Sequence, residues 1–197
     1  MLNIYNSEEI LLEKLKNRMD SKFDEALQIA REVIADVKAN GDSAVKKYTS
    51  KFDKVELDNL IMTDAEINKI YNKCDKNLIK IMEKAVQNIE DYHKIQMQSS
   101  NIITRDGIIL GQRVLPLERA ALYVPGGTAA YPSTVLMNAV PAKIAGVREL
   151  IILTPPKVDG IKPEIIAAAK ICGIDKIFKA GGVQAVAAAA YGTESIA

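Results

Sequence analysis

Short apolar strands alternate with alanine-rich helices after residue 119, and this alternation constrains the fold more than any other feature of the chain. Strands are predicted at Ala120–Val124, Glu149–Thr154 and Lys176–Lys179, and helices at Ser133–Gly146, Pro163–Cys172 and Val183–Tyr191. A strand that is followed by a helix and a second strand forms a right-handed crossover, which makes the two strands parallel. The pattern therefore predicts an α/β fold with a parallel, doubly wound sheet that is covered on both faces.

The first hundred residues have a different pattern, with apolar residues at helical spacing among many charged ones. Asp20 or Ser21 is a candidate cap for the start of a helix, because a short polar side chain can accept a hydrogen bond from the first turn. The helix is predicted to end at Asn40-Gly41, because Asn and Gly tolerate left-handed backbone. Further helices are predicted at Asp42–Lys51, after a cap at Asp64, and at Lys76–Gln98. This part of the chain is therefore expected to be helical.

A β-hairpin is predicted between the helical region and the strand-helix alternation. Its strands are Ile102–Thr104 and Ile108–Val114, which contain many β-branched residues and are joined across Asp106-Gly107. An Asp-Gly pair tolerates the positive φ angles of a tight hairpin turn.

Composition and charge exclude several classes of function. The 26 basic and 25 acidic residues nearly cancel, so no long-range field favours nucleic acid or an anionic membrane, and a small-molecule partner is expected. No apolar run reaches the roughly 20 residues that span a bilayer. The two cysteines, Cys74 and Cys172, are far apart and fit a reducing compartment, which predicts a cytoplasmic protein.

The single histidine, His93, limits the catalysis that this chain can carry. Nucleophilic triads and histidine-ligated zinc sites need several converging side chains, and one imidazole cannot form them. His93 lies in a polar, helical stretch, where a surface histidine is the simpler interpretation. Most catalysis of these kinds is therefore excluded within these residues.

Ligands of open parallel sheets bind at the carboxyl ends of the strands. The first predicted strand ends at Tyr123, before Gly126-Gly127, and the third ends before Gly181-Gly182 and Gln184. Paired glycines allow backbone N–H groups to approach a phosphate, but Gly126-Gly127 lacks the full G-x-G-x-x-G spacing, so its local pattern favours a simple turn. Gln184 could orient a ribose or an amide, or face solvent at the start of a helix.

Two long segments resemble the histidinol dehydrogenase family. The segments run from Tyr123 to Val147, beginning Tyr-Val-Pro-Gly-Gly-Thr-Ala-Ala-Tyr-Pro-Ser, and from Gly181 to Glu194, beginning Gly-Gly-Val-Gln-Ala-Val. Shorter matches are Gly41-Asp42-Ser43-Ala44 and Thr154-Pro155-Pro156. One departure is Val183, where the family usually has alanine.

The resemblance implies an oxidoreductase that converts L-histidinol to L-histidine through the aldehyde, with NAD and zinc as cofactors. By motif position, Tyr123 and Gln184 correspond to residues that contact NAD. The family's zinc ligands and its Glu-His pair for proton transfer belong to later sequence, so the chain alone is expected to be inactive. The family also implies a cytoplasmic homodimer. For Tyr123, a ring packed in the core is the alternative.

The resemblance also suggests a division of the chain. Residues 1–20 would form an amino-terminal helical arm, and residues 21–119 would form a helical region plus the hairpin, as part of a first α/β domain. Residues 120–197 would form a Rossmann-like NAD-binding domain whose sheet is incomplete at its carboxyl end.

Other function classes are compatible with parts of the pattern. A stand-alone nucleotide-binding module would need no catalytic set, and a helical interaction protein would use an exposed apolar face of the first hundred residues. An aldehyde dehydrogenase would need a nucleophilic cysteine, whereas Cys172, before Gly173 at a helix end, is better interpreted as a packing residue.

Overall fold

A computed structural model describes residue 12 and residues 20–126 and 131–196. The helices are α1 (Asp20–Asp53), α2 (Asp64–Tyr71), α3 (Lys76–Lys94), α4 (Pro132–Ile144), α5 (Pro163–Ile171) and α6 (Gly182–Tyr191). The strands are β1 (Asn101–Arg105), β2 (Ile108–Gln112), β3 (Arg119–Tyr123), β4 (Glu149–Thr154) and β5 (Ile177–Lys179). Most of the predicted arm, the side chain of the predicted cap at Asp20 or Ser21, and Gly127 lie outside the described residues.

Helix α1 consists of two helical segments that meet at Gly41. Gly41 has φ 51° and ψ −132°, so the prediction that Asn40-Gly41 ends a helix is confirmed. The break is bound by the chain that follows α6. The Glu194 carboxylate accepts a hydrogen bond from the Asp42 N–H at 2.7 Å, and the Asp42 carboxylate accepts one from the Ser195 N–H at 3.3 Å. Two segments that resemble the family therefore contact each other.

The predicted cap of α2 at Asp64 is wrong by one residue, because Thr63 is the cap. The Thr63 hydroxyl accepts a hydrogen bond from the Glu66 N–H at 3.2 Å, and the Glu66 carboxylate accepts one from the Thr63 N–H at 2.7 Å. Threonine followed three residues later by glutamate is the sequence signature of a capping box. Asp64 instead supplies negative charge in the first turn, where the helix dipole favours it.

The main sheet is parallel, in the order β3-β4-β5. Tyr123 of β3 is paired with Leu153 of β4, and Thr154 of β4 is paired with Lys179 of β5. A segment that the sequence did not predict, residues 60–62, runs antiparallel beside β5, where the Met62 N–H donates to the Ile177 carbonyl at 2.8 Å. The predicted parallel sheet is thus confirmed and has an additional antiparallel edge.

Helices cover both faces of this sheet, which confirms the doubly wound architecture. Ile152 points into one core with side chains of α2, α3, α4 and α5, whereas the next residue, Leu153, points into a second core with α1 and α6. Successive side chains of a strand face opposite sides of the sheet. Because helices cover both sides, Ile152 and Leu153 are both fully buried. Burial of this kind contributes roughly 1.5–3 kcal/mol for each large aliphatic side chain.

The predicted hairpin is present but belongs to neither core. Ile103 of β1 is opposite Leu110 of β2, and β2 ends at Gln112 instead of Val114. Every residue of both strands is exposed, including Ile109 at 76%. The apolar side chains of this hairpin therefore lack a covering layer in the described part of the chain. A two-stranded hairpin without such a layer is only marginally stable in water.

The predicted division of the chain at residues 20 and 119 stays a prediction. Among the residues that the structure describes, no helix combines the length and the apolar character that a membrane span requires.

Candidate functional site

The carboxyl ends of β3, β4 and β5 meet around one proline. A Cβ added to Gly126, after β3, would lie 2.4 Å from Pro155 Cγ, and one added to Gly181, after β5, would lie 2.4 Å from Pro155 Cβ. Pro155 directly follows β4, so the three strand ends are packed with no room for larger side chains. Gly126 and Gly181 therefore have a packing role, which is one physical reason for a glycine at each position.

Tyr123 ends β3 and directs its hydroxyl toward the start of α6. The hydroxyl oxygen accepts a hydrogen bond from the Gly182 N–H at 3.3 Å. The side chain is 41% exposed, so the alternative of a ring packed in the core is wrong. Part of the residue thus remains accessible at the carboxyl edge of the sheet.

Gln184 lies in the first turn of α6, and its side chain folds back over the helix start. It is 1% exposed, which corrects the interpretation that it faces solvent. Its Oε1 atom would lie 2.8 Å from a Cβ at Gly182, so the glycine provides the space for this amide. Within the described residues, Oε1 is buried and has no hydrogen-bond partner.

Tyr123 and Gln184 thus converge on Gly182 at one edge of the sheet. A buried amide oxygen without a partner costs roughly 1–3 kcal/mol compared with a paired one. The hydroxyl of Tyr123 can donate its own proton while it accepts from Gly182. The arrangement therefore offers a stacking ring, a hydroxyl donor and an unsatisfied acceptor to a ligand with hydroxyl or amide groups.

Neither cysteine is positioned for nucleophilic chemistry. Both are buried, and burial raises the pKa of the Cys172 thiol to about 11. Because the thiolate is the nucleophile, a thiol with this pKa is unreactive near neutral pH. The interpretation of Cys172 as a packing residue agrees with its place in the core beneath α5.

His93 lies in the last turn of α3, far along the chain from the strand ends. Its Nδ1 is 2.6 Å from Gln96 Oε1, and its ring contacts the edge of Tyr92. Over residues 20–126 and 131–196, no three side chains of the types His, Cys, Asp or Glu are close enough to hold a metal ion.

The packing of Pro155 against Gly126 and Gly181 was not predicted from the sequence. The Thr154-Pro155-Pro156 run was noted only for its resemblance to the family. A proline that directly follows a predicted parallel strand, with glycines after the two neighbouring strands, would have indicated this close packing. The contact itself depends on three segments that are far apart in sequence.

Comparisons with known proteins identify the family of the chain. The sequence model of the histidinol dehydrogenase family matches residues 16–197. The chain is 48% identical to "Histidinol dehydrogenase" of Clostridium acetobutylicum over 190 residues, which cover 95% of this chain and 44% of the relative. It is also 48% identical to the Bacillus subtilis protein of that name over 184 residues, which cover 92% and 43%.

A solved structure is also similar to this chain. The crystal structure of histidinol dehydrogenase from Elizabethkingia anophelis superimposes with a TM-score of 0.81 and 38% sequence identity, and the match covers 87% of this chain and 40% of that one. The chain thus spans less than half the length of the relatives that it matches.

Proposed function

Because the chain belongs to the histidinol dehydrogenase family, we propose that it forms the NAD-binding part of an enzyme that oxidises L-histidinol to L-histidine. The reaction passes through the aldehyde, completes histidine biosynthesis and consumes two NAD molecules in turn. The observation that carries the proposal is that the buried, unpaired Oε1 of Gln184 and the partly exposed Tyr123 both lie next to Gly182. Both lie where open parallel sheets bind ligands.

In this proposal, Tyr123 and Gln184 hold the cofactor. The Tyr123 ring offers a surface for stacking, and the Gln184 oxygen accepts a hydrogen bond from a ribose hydroxyl or the carboxamide. Because Gln184 is buried, a rotation of its side chain away from Gly182 accompanies binding. NAD supplies the hydride acceptor, and the protein orients it.

Zinc does not fit the residues described here. No cluster of three side chains of the types His, Cys, Asp or Glu exists within the described ranges. We therefore derive no catalytic step through zinc in this chain. In the proposal, the metal ligands and the proton-transferring Glu-His pair belong to the part of the family that this chain does not span.

Assembly is a further part of the proposal. We propose a cytoplasmic homodimer for the complete enzyme, and the uncovered apolar side chains of β1 and β2 support an assembled state. Light scattering on the complete protein should give twice the mass of one chain, and a monomer at micromolar concentration would contradict this.

The first experiment measures NAD binding by the chain itself. Gln184→Ala should weaken binding by about tenfold, corresponding to the loss of one or two hydrogen bonds. Gln87→Ala, at an exposed glutamine of α3 that donates to Asp91, is the matched control. Equal NAD affinity in all three proteins would remove Gln184 from the site.

The second experiment separates cofactor binding from turnover. NADH formation with L-histidinol and zinc content by elemental analysis are measured for residues 1–197 and for the full-length Bacillus subtilis relative. The relative should contain zinc and produce NADH, whereas this chain should do neither. Stoichiometric zinc or histidinol-dependent NADH from the chain alone would overturn the proposed division of roles.

A further inference from the structure

A second concavity lies on the α5 side of the strand ends. It is open to solvent on one side and is lined by the segment after α1, α2 and the turn after it, the loop between β4 and α5, and the end of β5, and its volume is about 470 Å³. Pockets for small organic ligands range from about 300 to 1,000 Å³. Its floor is apolar, with side chains that include Val55, Leu57, Met62, Ile70 and Ile161. The space thus matches an organic molecule larger than a simple ion.

The rim of this cavity is strongly basic, although the whole chain has a formal charge of only +1. Among the described residues that line it, five lysines face two carboxylates. The lysines are Lys69, Lys73, Lys157, Lys162 and Lys179, and the carboxylates are Glu66 and Asp159. The lysines come from three separate segments, so their convergence is a product of the fold.

One of the two carboxylates, that of Glu66, already has partners within the protein. Glu66 accepts hydrogen bonds from the Thr63 N–H and forms an ion pair with Lys179 at 3.2 Å. The Thr63 N–H and the Lys179 ammonium hold the pKa of Glu66 below its usual value, so it stays ionised. This pair is internally neutral, and Lys69, Lys73 and Lys162 then share one concavity with Asp159. The repulsion among them is relieved when an anion enters.

We propose that this basic cavity, lined by Lys69, Lys73, Lys157, Lys162 and Lys179, binds a phosphate-bearing organic anion. Its phosphate groups lie among the ammonium groups, and its less polar part lies against the apolar floor. Ammonium groups on flexible stems bind phosphate as point charges. The floor adds contact area that inorganic phosphate cannot use.

The cavity is distinct from the contact between Tyr123 and Gln184. Pro156 and Lys157 line the cavity, whereas the preceding Pro155 packs against Gly126 and Gly181 at the other site. The two sites are therefore neighbours across the turn that follows β4. The ligand is a phosphorylated organic molecule separate from the NAD of the proposed function. The inference does not depend on the proposed dehydrogenase function.

The test is a titration of residues 1–197 with ADP by calorimetry at low ionic strength. We expect saturable binding that weakens when salt is raised, because the lysines are close to solvent. The double variant Lys69→Glu/Lys73→Glu should weaken ADP binding by about tenfold or more. Lys80→Glu/Lys84→Glu on α3, which makes the same charge change away from the cavity, should leave it unchanged.

Two further titrations identify the ligand. Pyrophosphate should bind more weakly than ADP; equal affinity would overturn the role of the apolar floor. The Lys69→Glu/Lys73→Glu variant should weaken the binding of ADP and leave the binding of NAD unchanged; an equal loss for both ligands would mean that the cavity is part of the NAD site and would overturn the proposal. No saturable ADP binding, or the same loss in both double variants, would overturn the proposal. Circular dichroism spectra of both variants verify that each is folded.

Discussion

The parallel sheet β3-β4-β5 and the hairpin β1-β2 contain similar residues but have opposite environments. Both are rich in isoleucine and leucine, yet Ile152 of β4 is fully buried and Ile109 of β2 is 76% exposed. The parallel strands are covered by helices on both faces, whereas the hairpin contacts neither core. Strand-forming residues thus predict a strand in both places, but they do not reveal what covers it.

The largest effect should come from Ile152→Ala in the centre of the sheet. Loss of the buried methyl and methylene groups, together with the remaining cavity, should lower the free energy of unfolding by about 2–5 kcal/mol. Urea denaturation followed by circular dichroism measures the change. A loss below about 1 kcal/mol would mean that the sheet is not closely packed.

Gly181→Ala should have the next largest effect, because a Cβ there would lie 3.0 Å from the backbone of Pro155 and closer still to its ring. Overpacking of this kind costs about 1–3 kcal/mol. Gly111→Ala in the hairpin is the matched control, since the contacts of its Cβ begin at 3.1 Å and the exposed strands can adjust. Equal losses in the two variants would show that the strand ends also adjust freely.

Glu66→Gln tests the connection between α2 and the end of β5. The folded pKa of Glu66 is lowered, first by the Thr63 N–H and also by Lys179, from an ordinary value of 4.5. Its contribution is therefore complete above pH 4.5 and disappears as the pH falls through the folded pKa. At pH 7 the variant should be less stable by about 0.5 kcal/mol, because glutamine keeps the hydrogen bond to the Thr63 N–H but loses the charge that faces Lys179.

The pH dependence separates this effect from a general loss of stability. The difference between wild type and Glu66→Gln should shrink as the pH falls below 4.5, and thermal melting at several pH values measures it. Glu83→Gln, at an exposed position of α3, serves as the control. A difference that is constant from pH 7 to about pH 3 would refute the role of the charged form.

The smallest effect is expected for Ile103→Thr/Ile109→Thr in the hairpin. Threonine keeps the preference for strands, and both side chains are largely exposed, so the free energy of unfolding of this chain should change by only about 0.5 kcal/mol. Aggregation, measured by light scattering, should decrease because apolar surface is removed. A loss comparable to that of Ile152→Ala would mean that the hairpin belongs to the core.

Several elements were predictable because their signals are local. The helix beginning at Pro163 starts where proline can occupy the first turn, and the break at Gly41 follows from a residue that adopts positive φ without a steric penalty. The strand predicted at Ala120–Val124 is displaced by one residue in the structure. The Val124 N–H still donates a hydrogen bond to the Leu153 carbonyl at 2.9 Å. The difference therefore concerns only where the ends of the strand are assigned.

The candidate site was only partly predictable. The shared edge of Tyr123 and Gln184 follows from the parallel direction of the strands, which the alternating pattern already indicated. The burial of Gln184 does not follow from its neighbours in sequence, because it depends on Gly182 and the packing of α6. The basic cavity was missed entirely, since its lysines come from α2, the loop before α5 and the end of β5.

By itself, the sequence determined the order of helices and strands, the parallel sheet, the break at Gly41 and the shared edge of Tyr123 and Gln184. These features are predictable because their causes are local or general. Hydrophobic periodicity and the conformational freedom of glycine act over a few residues, and the handedness of crossovers follows a general rule. Only the tertiary structure decided that Pro155 contacts two glycines, that Gln184 is buried and that five lysines converge. Those contacts join residues that are distant in sequence, and their energies exist only after the chain has packed.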